Sequence, residues 1–377
     1  MFRARRGGVR LRIGIDATPL RTRENGISRY TDQLVRGLAQ RAPELQLVLF
    51  GQRSLDETPG TRGATWDTID FPRKRWIDPF HLIGAARRID LFHGTNYIAP
   101  LLDCLPCVIT IHDMTVFLQP ETHPWARRIR HRIWLPALCR RPGVRIIADS
   151  ETTKRDVMRL LGVAGDRITV TRLAVDARFQ PIPSAECERV RRRHALPDEF
   201  LLYLGAVEPR KNLPALLEAL GGLRRGRAVP PLVVAGRGQP VYRERLERRA
   251  RALGLEPGRD LLFIGVVEEA DLPALYSLCT LFAYPSLYEG FGLPPLEAMA
   301  CGAPVVVSDR SSLGELYADS ALAVPDALLG DAIGRLLGDA GLRAELSARG
   351  RALAATRSWD AVVDETVAVY RAALAAA

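Results

Sequence analysis

Two glutamates beside a glycine-rich loop carry the clearest chemical signal in the sequence. Glu289 and Glu297 lie eight residues apart within residues 284–302, which read YPSLYEGFGLPPLEAMACG. A carboxylate accepts hydrogen bonds from two hydroxyl groups at once, and the bare amides of a loop that leads into a helix bind anions. The pattern predicts a site for a phosphate-linked ligand rich in hydroxyls. The alternative is that Glu297 only complements the helix dipole from the first turn and Glu289 is a solvated loop acid.

A pair of cations in another loop favours the same chemistry. Arg210 and Lys211 follow a strand-like run that ends at Gly205, and Asn212 fits the N-cap of the next helix. Arginine offers phosphate oxygens a planar fork, and lysine a compact point charge. Only three of the 53 basic residues are lysines, so a lysine at this position is informative. We expect a diphosphate to bind here, the alternative being a solvated turn with two surface cations.

Two further candidates lie in the first half of the chain. His112 ends a strand-like run over residues 108–112, at the carboxyl edge where open α/β sheets bind ligands. Gly26 stands just before a helical pattern and could let the backbone approach a phosphate. A histidine at a strand end and a single glycine before a helix also occur for purely structural reasons, and those alternatives stay open.

The elements that must position these residues alternate between strand and helix along the whole chain. Short β-branched runs predict strands at residues 10–15, 46–50, 91–93, 108–112, 144–148, 200–204, 231–235, 260–264, 280–284 and 304–308. Helical spacing of apolar residues predicts helices at residues 28–42, 213–223, 241–253, 270–278 and 359–374. This alternation is typical of α/β construction with parallel sheets.

The positions of proline and glycine suggest where domains and helices end. Pro181 and Pro183 disfavour helix and central strand, so we predict domains at residues 1–183 and 184–358, each with its own doubly wound sheet. Pro294 and Pro295 suit the first turn of the helix that contains Glu297, and Gly302 is placed to end it.

Composition and charge exclude several classes of protein. The 377 residues are 47% hydrophobic and 25% charged, which argues against a disordered tail, a fibre or a polytopic membrane protein. The net charge of +10 is uneven: residues 1–180 carry 30 basic and 18 acidic side chains, whereas the remainder carry 23 and 25. The first half is therefore basic and the second nearly neutral.

The stretch 123–141 concentrates this positive charge together with large apolar residues. It predicts an amphipathic helix suited to an anionic lipid surface, with the arginines and one tryptophan as candidate contacts: Arg127, Arg128, Arg130, Arg132 and Trp134. We expect the apolar side, which also includes Trp125, Ile129 and Ile133, to pack on the domain, and the outward arginines to face a bilayer or an anionic lipid-diphosphate acceptor. The alternative is a helix whose arginines are merely solvated. No nucleic-acid motif is present, so we expect no nucleic-acid partner.

The N-terminus and the cysteines predict a protein of the cytoplasm. A basic start is not followed by an apolar segment, so we expect no signal peptide, and no apolar run is long enough to span a membrane. Cys104 and Cys107 have redox or zinc spacing, but no second pair completes a site. We expect the six cysteines to be reduced and buried.

Taken together, the motifs resemble family 4 of the retaining glycosyltransferases, which have the two-domain GT-B architecture. The matching stretches are DATP at 16–19, GISRY at 26–30, FHGTNY at 92–97, IHD at 111–113, DSE at 149–151, EPRKN at 208–212 and PSLYEGFGLPPLE at 285–297. The last contains the family's Glu-x7-Glu signature, Glu289 to Glu297. Within the family, the chain looks most like bacterial polysaccharide mannosyltransferases. It departs from many relatives at Ser28, where they have a second glycine.

The resemblance implies a role for each candidate. Arg210 and Lys211 would bind the donor diphosphate and neutralise the leaving group, and Glu297 would bind the nucleotide ribose. The donor sugar would be held by Glu289 and the amides of Gly290, Phe291, Gly292 and Leu293. The remaining residues implied at the donor are His112 against the sugar, Gly26 beside the phosphate, and Val266 and Val267 at the base. Two Rossmann-like domains would face across a cleft, with residues 359–377 crossing back to the first.

The resemblance implies transfer of a hexose, with retention of the anomeric configuration, to a lipid-linked or polysaccharide acceptor. The first expectation for the donor is GDP-mannose, which would supply mannose. Transfer would take place at the cytoplasmic face of the membrane without a metal or other cofactor, since no Asp-x-Asp pair stands at a strand end. The alternatives are another donor (UDP-, dTDP- or a different GDP-linked sugar), a sugar-phosphate epimerase or phosphorylase, and a basic protein that only binds anionic lipid or nucleic acid.

Overall fold

A computed structural model describes residues 11–22, 26–51, 69–70, 89–100 and 105–376. The chain forms two compact units, Met1–Leu173 with Ser358–Ala377, and Ala174–Arg357. The sequence placed the division after residue 183, ten residues later. Residues 174–183 belong to the second unit because Phe179 packs edge-on against Tyr276, with ring centroids 6.1 Å apart, and Arg178 pairs with Glu269 at 2.9 Å.

The first unit is built on a seven-stranded parallel sheet in the order β3-β2-β1-β4-β5-β6-β7. Its strands are β1 (Leu11–Asp16), β2 (Leu45–Gly51), β3 (Ile69–Asp70), β4 (Leu91–Gly94), β5 (Cys107–Ile111), β6 (Val144–Ala148) and β7 (Ile168–Val170). Its helices are α1 (Gly26–Arg41), α2 (Thr115–Leu118), α3 (Trp125–Cys139) and α4 (Glu151–Leu161), to which the last helix of the chain is added.

The second unit contains a six-stranded parallel sheet in the order β10-β9-β8-β11-β12-β13. Its strands are β8 (Leu201–Leu204), β9 (Leu232–Ala235), β10 (Leu261–Gly265), β11 (Leu281–Tyr284), β12 (Val305–Ser308) and β13 (Leu322–Val324). Its helices are α5 (Ser184–Arg193), α6 (Leu213–Arg224), α7 (Pro240–Ala252), α8 (Leu272–Leu278), α9 (Leu293–Ala300), α10 (Ser311–Tyr317), α11 (Leu329–Gly338) and α12 (Ala340–Ala355).

The prediction of an α/β fold with doubly wound parallel sheets is confirmed. Every strand predicted from the sequence is present with ends within one residue of those expected. Central strands such as β5, β9 and β12 are buried along their whole length, as expected where helices cover both faces of a parallel sheet. The strands that the sequence missed are two or three residues long, too short to show a period.

The last helix, α13 (Trp359–Ala375), packs in the first unit against α1. The two helices approach closely because Gly37 has no side chain; a Cβ at this position would lie only 2.4 Å from the side chain of Val363. At the surface, Arg41 bridges Asp360 and Asp364 at 2.9 and 2.6 Å. These contacts attach the C-terminal segment to the unit formed by the start of the chain.

Two further expectations concern thiols and membrane spans. In the described ranges five cysteines are free and buried: Cys107, Cys139, Cys187, Cys279 and Cys301. Cys104 lies outside the described residues, so for this cysteine the expectation of a reduced, buried thiol stays a prediction. Among the described helices, none combines the length and the apolar character needed to cross a bilayer.

Candidate active site

The two cations and the first glutamate of the predicted site come together in the second unit. Arg210 and Lys211 lie on a short 3-10 turn after β8, and Glu289 lies on the loop between β11 and α9. Because β8 and β11 are neighbouring parallel strands, their carboxyl ends meet at one edge of the sheet. Lys211 Nζ donates to Glu289 Oε1 and, at 2.8 Å, to the Tyr284 hydroxyl; Arg210 Nη1 donates to Glu289 Oε2 at 3.3 Å.

Burial makes the charges of this cluster interdependent. Burial alone would raise the pKa of Glu289, but the adjacent Lys211 and Arg210 lower the pKa of this carboxyl to about 2. Burial lowers the pKa of Lys211, and the Glu289 carboxylate opposes that shift. Ser286 also donates its hydroxyl hydrogen to Glu289 Oε1. The result is an ionised carboxylate that holds two cations at the strand ends.

The glutamate loop is fastened by the start of α10. The Glu289 amide donates to Ser311 Oγ at 2.9 Å, and its carbonyl accepts from Ser312 Oγ at 2.9 Å. Gly292 has φ +89°, and a Cβ at this position would lie 2.6 Å from the side chain of Leu313. A residue with a side chain therefore cannot replace Gly292 without strain. The amides of residues 290–293 lead directly from this loop into α9.

Glu297 occupies a different position from the one expected. The helix begins at Leu293, so Pro294 and Pro295 fill the first turn as predicted, and Glu297 falls in the second turn. Its side chain is buried, and Oε2 accepts a hydrogen bond from the Tyr276 hydroxyl at 3.0 Å. The alternative of a first-turn acid that complements the dipole is therefore wrong, and contact with a ribose stays a prediction. Gly302, with φ +87°, ends this segment as expected.

Three more predicted residues lie at element ends. Val266 and Val267 directly follow β10, an edge strand; Val266 is exposed and Val267 is buried. Gly26 is the first residue of α1 in the first unit and is exposed. Asn212 does precede α6, but it adopts φ +56° and its side chain makes no capping hydrogen bond.

In the first unit, His112 forms a buried ion pair. It follows β5, and Asp149 follows the neighbouring strand β6. His112 Nδ1 lies 2.7 Å from Asp149 Oδ2, and Nε2 donates to the Thr95 carbonyl at 2.9 Å. Burial alone would lower the pKa of His112, but the Asp149 carboxylate raises it above its ordinary value. Both ring nitrogens are thus engaged by the protein, which favours an imidazolium held in a fixed orientation.

A chain of buried polar groups leads from α13 to His112. The Tyr370 hydroxyl lies 2.7 Å from His93 Nδ1, and His93 Nε2 lies 2.9 Å from Thr110 Oγ1. Thr110 Oγ1 is in turn 2.8 Å from the Tyr30 hydroxyl, and the Tyr30 ring packs edge-on against His112 at 4.9 Å. Burial, together with the charge of His112, lowers the pKa of His93 to about 3. The C-terminal helix therefore helps to fix the surroundings of His112.

The basic segment of the first unit is helical, as predicted, but its apolar side is not where it was expected. Trp125, Ile129 and Ile133 are exposed, so the expectation that they pack on the domain is wrong. The inner side of α3 is occupied instead by His131, Leu135, Leu138 and Cys139. Among the predicted contact residues, Arg132 is exposed, and the half-buried ones are Arg127, Arg128 and Trp134. The side chain of Arg130 is outside the described part.

Three residues that complete these sites have no predicted role: Asp149, Tyr284 and Ser286. Asp149 follows β6, the neighbour of the strand that precedes His112, and this neighbourhood becomes visible only in the folded sheet. Tyr284 and Ser286 stand inside the glutamate motif but appear as ordinary strand and loop residues until the chain is folded. In the ranges that the structure describes, no three metal-ligating side chains cluster together.

Two doubly wound parallel-sheet units, with a buried cation–carboxylate cluster in the second, are the architecture of the GT-B class, and the solved structures that the chain resembles are GT-B glycosyltransferases. Residues 24–179 match the family model for Glycosyltransferase Family 4, and residues 186–353 match that for Glycosyl transferases group 1. The chain is 32% identical over 389 residues to O-antigen chain mannosyltransferase B of Escherichia coli, covering 96% of this chain and 100% of that protein. The chain belongs to glycosyltransferase family 4.

Two other similarities agree with this assignment. The serotype-specific mannosyltransferase WbdA of Escherichia coli is 42% identical over 174 residues, which are 45% of this chain and 21% of that protein. The crystal structure of Anabaena Alr3699/HepE in complex with UDP and glucose superposes with a TM-score of 0.75 at 18% identity, covering 96% of this chain and all of that one. The latter similarity establishes a common fold.

Proposed function

We propose that this glycosyltransferase transfers mannose from GDP-mannose, with retention of configuration, to a polysaccharide or lipid-linked glycan. The observation that carries the proposal is the buried cluster of Arg210, Lys211 and Glu289 at the adjoining ends of β8 and β11. The choice of sugar and of acceptor is supported by the two relatives that are named mannosyltransferases, one of them of the O-antigen chain.

In the proposed reaction, negative charge develops on the departing nucleoside diphosphate. Arg210 and Lys211 are held beside each other and largely out of water, where a fixed positive charge stabilises a developing negative charge most strongly. The N-terminal end of α9 adds the partial positive charge of the helix dipole. These groups supply the stabilisation that a cation would otherwise give, so we propose that transfer requires no metal ion. An unchanged transfer rate in excess chelator would support this proposal. A loss of transfer activity in chelator that added Mg²⁺ reverses would contradict it.

Glu289 is proposed to hold the donor sugar. Its Oε1 already accepts hydrogen bonds from Lys211 and Ser286, whereas Oε2 accepts one from Arg210. A carboxylate oxygen accepts two hydrogen bonds, so Oε2 retains the capacity for one sugar hydroxyl. In this view Glu289 both orients the cations and reads the sugar.

His112 is proposed to form part of the wall against the donor sugar rather than to move a proton. Its ring nitrogens are both engaged, by Asp149 and by the Thr95 carbonyl, so no free basic nitrogen faces a ligand. Three further contacts are proposed from the family resemblance. Gly26 would contact the donor phosphate, Glu297 the ribose, and Val266 and Val267 the base.

The acceptor is proposed to be reached at the cytoplasmic face of the membrane. The support is α3 and the two residues that follow it: residues 125–141 contain six arginines, four of them within the helix, and no acidic residue. Such a helix suits the anionic headgroups of that face. A nucleic-acid partner is not proposed.

A ligand panel tests the proposed donor. Because a ligand that binds only the folded state raises its melting temperature, thermal shifts with GDP, UDP, ADP and dTDP compare the bases directly. We expect the largest shift with GDP, and sugar release or transfer with GDP-mannose above GDP-glucose and UDP-glucose. A larger shift with another base would replace the donor, and the absence of binding and turnover with every donor would refute the function.

A further inference from the structure

Helix α3 presents a row of large apolar side chains to solvent. Trp125, Ile129 and Ile133 are 72%, 50% and 60% exposed. They are spaced four residues apart, and side chains at this spacing lie on one face of a helix. Seven large apolar side chains are exposed across the described residues, and three of them fall within these nine positions.

The fold itself does not need this outer face to be apolar. The inner face already places His131, Leu135 and Leu138 against the body of the unit, and all three are buried. Leu135 and Leu138 belong to the same apolar core as strands β5 and β6. A helix at the surface of a water-soluble body ordinarily exposes polar residues on its outer side. No part of the described domain covers Trp125, Ile129 and Ile133, so the outer face of α3 is available to a partner.

Charge next to the apolar row indicates the kind of partner. Arg128 and Arg132 lie three and seven residues after Trp125 and flank the row on one side, and residues 125–141 contain no acid. Arginine beside tryptophan and isoleucine is the composition of helices that lie in the interface of anionic membranes, where apolar side chains enter the headgroup layer and guanidinium groups contact phosphate.

We propose that α3 inserts Trp125, Ile129 and Ile133 into the headgroup region of an anionic bilayer, with Arg128 and Arg132 on lipid phosphates. This inference rests on the proposed function, because it adds partial insertion to the proposed electrostatic attraction at the membrane. It also connects that surface to the site. The His131 ring on the inner face packs against Tyr97 at 5.3 Å, and Tyr97 packs against His112 at 6.4 Å. One tyrosine therefore separates the membrane-facing helix from the wall of the proposed sugar site, which suits an acceptor anchored in lipid.

Flotation with vesicles tests the insertion. The full-length protein is mixed with vesicles of phosphatidylcholine alone, or of equal parts phosphatidylcholine and phosphatidylglycerol. The test variant is Ile129→Ser with Ile133→Ser, and the matched control is Val241→Ser, a side chain 74% exposed on α7 of the second unit. We expect wild type and control to bind the anionic vesicles equally, and the double variant to bind them about tenfold or more weakly. Binding to the neutral vesicles should be weak for all three.

The outcomes separate this inference from the proposed function. Equal binding by the double variant and wild type would overturn insertion and leave only electrostatic attraction. A wild-type dimer in sedimentation velocity that the double variant loses would also overturn it, since the row would then be a contact between copies of the chain. Thermal shift with GDP and transfer to a soluble glycan are measured on the same samples and should not change in the double variant. If no donor binds or turns over while the vesicle results hold, the proposed function fails and insertion stands.

Discussion

Replacing Glu289 by glutamine probes the cluster on which the proposed donor site rests. The change keeps the shape of the side chain and its ability to accept from Ser286, but it leaves Lys211 and Arg210 without their shared carboxylate. Removing one partner of a buried ion pair costs about 3–5 kcal/mol. Because burial lowers the pKa of Lys211, this amine can lose its proton in the variant, so we expect a cost near the lower limit, about 3 kcal/mol.

For a unit of this size, such a loss lowers the melting temperature by about 6–12 °C. A nucleoside diphosphate should restore much of it, since its phosphates can neutralise the two cations that the carboxylate no longer holds. We therefore expect GDP to raise the melting temperature of Glu289→Gln by more than that of wild type, while sugar transfer falls about 100-fold or more. Differential scanning calorimetry with and without GDP, beside a transfer assay, measures all three effects.

Glu208 offers the matched control. It pairs with Arg210 at 2.8 Å, but its side chain is 40% exposed. Exposed pairs contribute about 0–1 kcal/mol, so Glu208→Gln should melt within a few degrees of wild type and show the same GDP shift. If Glu289→Gln melts like this control, or if GDP shifts Glu289→Gln and wild type equally, the coupling of carboxylate, cations and phosphate is refuted.

Three further changes test other parts of the structure. The pKa of His112 is higher in the folded chain than its ordinary value of 6.5. Its contribution to the free energy of unfolding is therefore complete below pH 6.5 and is lost as the pH rises through the folded-state pKa. The melting temperature of wild type should therefore fall above about pH 6.5, and Asp149→Asn should remove that fall. If the melting temperatures of the two proteins depend on pH in the same way, the ion pair does not contribute as proposed. Gly292→Ala should cost about 1–3 kcal/mol because of its positive φ and its contact with a leucine side chain. Gly143→Ala, where a Cβ meets nothing within 4 Å, is its control in urea unfolding, and equal midpoints would exclude strain at Gly292. Tyr370→Phe should lower the free energy of unfolding by about 1–2 kcal/mol, because it removes a hydrogen bond of 2.7 Å to the buried His93 imidazole. An unchanged free energy of unfolding would show that this hydrogen bond does not stabilise the fold.

Much of the fold could be predicted because strand and helix signals are local. Runs such as residues 144–148 and 304–308 combine β-branched residues with turn residues at both ends, and the observed strands agree within one residue. The predicted boundary between the units lies ten residues after the observed one, because prolines mark a break in secondary structure and do not show which unit the flanking residues pack against. Which unit residues 174–183 join depends instead on the packing of Phe179 against Tyr276, a contact between distant parts of the sequence.

The site could be predicted less completely, for a similar reason. The motif and charge of Arg210, Lys211 and Glu289 are visible in the sequence, and the parallel pairing of β8 with β11 brings them together. The pairing of His112 with Asp149 depends on which strands are neighbours, which spacing along the chain does not reveal.

Helix α3 illustrates a limit of a different kind. Its apolar residues occupy both the inner and the outer face, so periodicity alone could not decide which face packs. The expectation that Trp125, Ile129 and Ile133 turn inward followed the usual preference for burial. The core side was instead filled by Leu135, Leu138 and Cys139, which left the first row exposed.

The central claim is that the cluster around Lys211 is the donor site of a glycosyltransferase. The most direct test is the rate of mannose transfer from GDP-mannose to a glycan acceptor by wild type and by Lys211→Met, a variant of similar length without the charge. We predict turnover by wild type and a fall in kcat/KM of about 100-fold or more in the variant, once calorimetry shows that it is folded. Equal rates for the two proteins would contradict the claim.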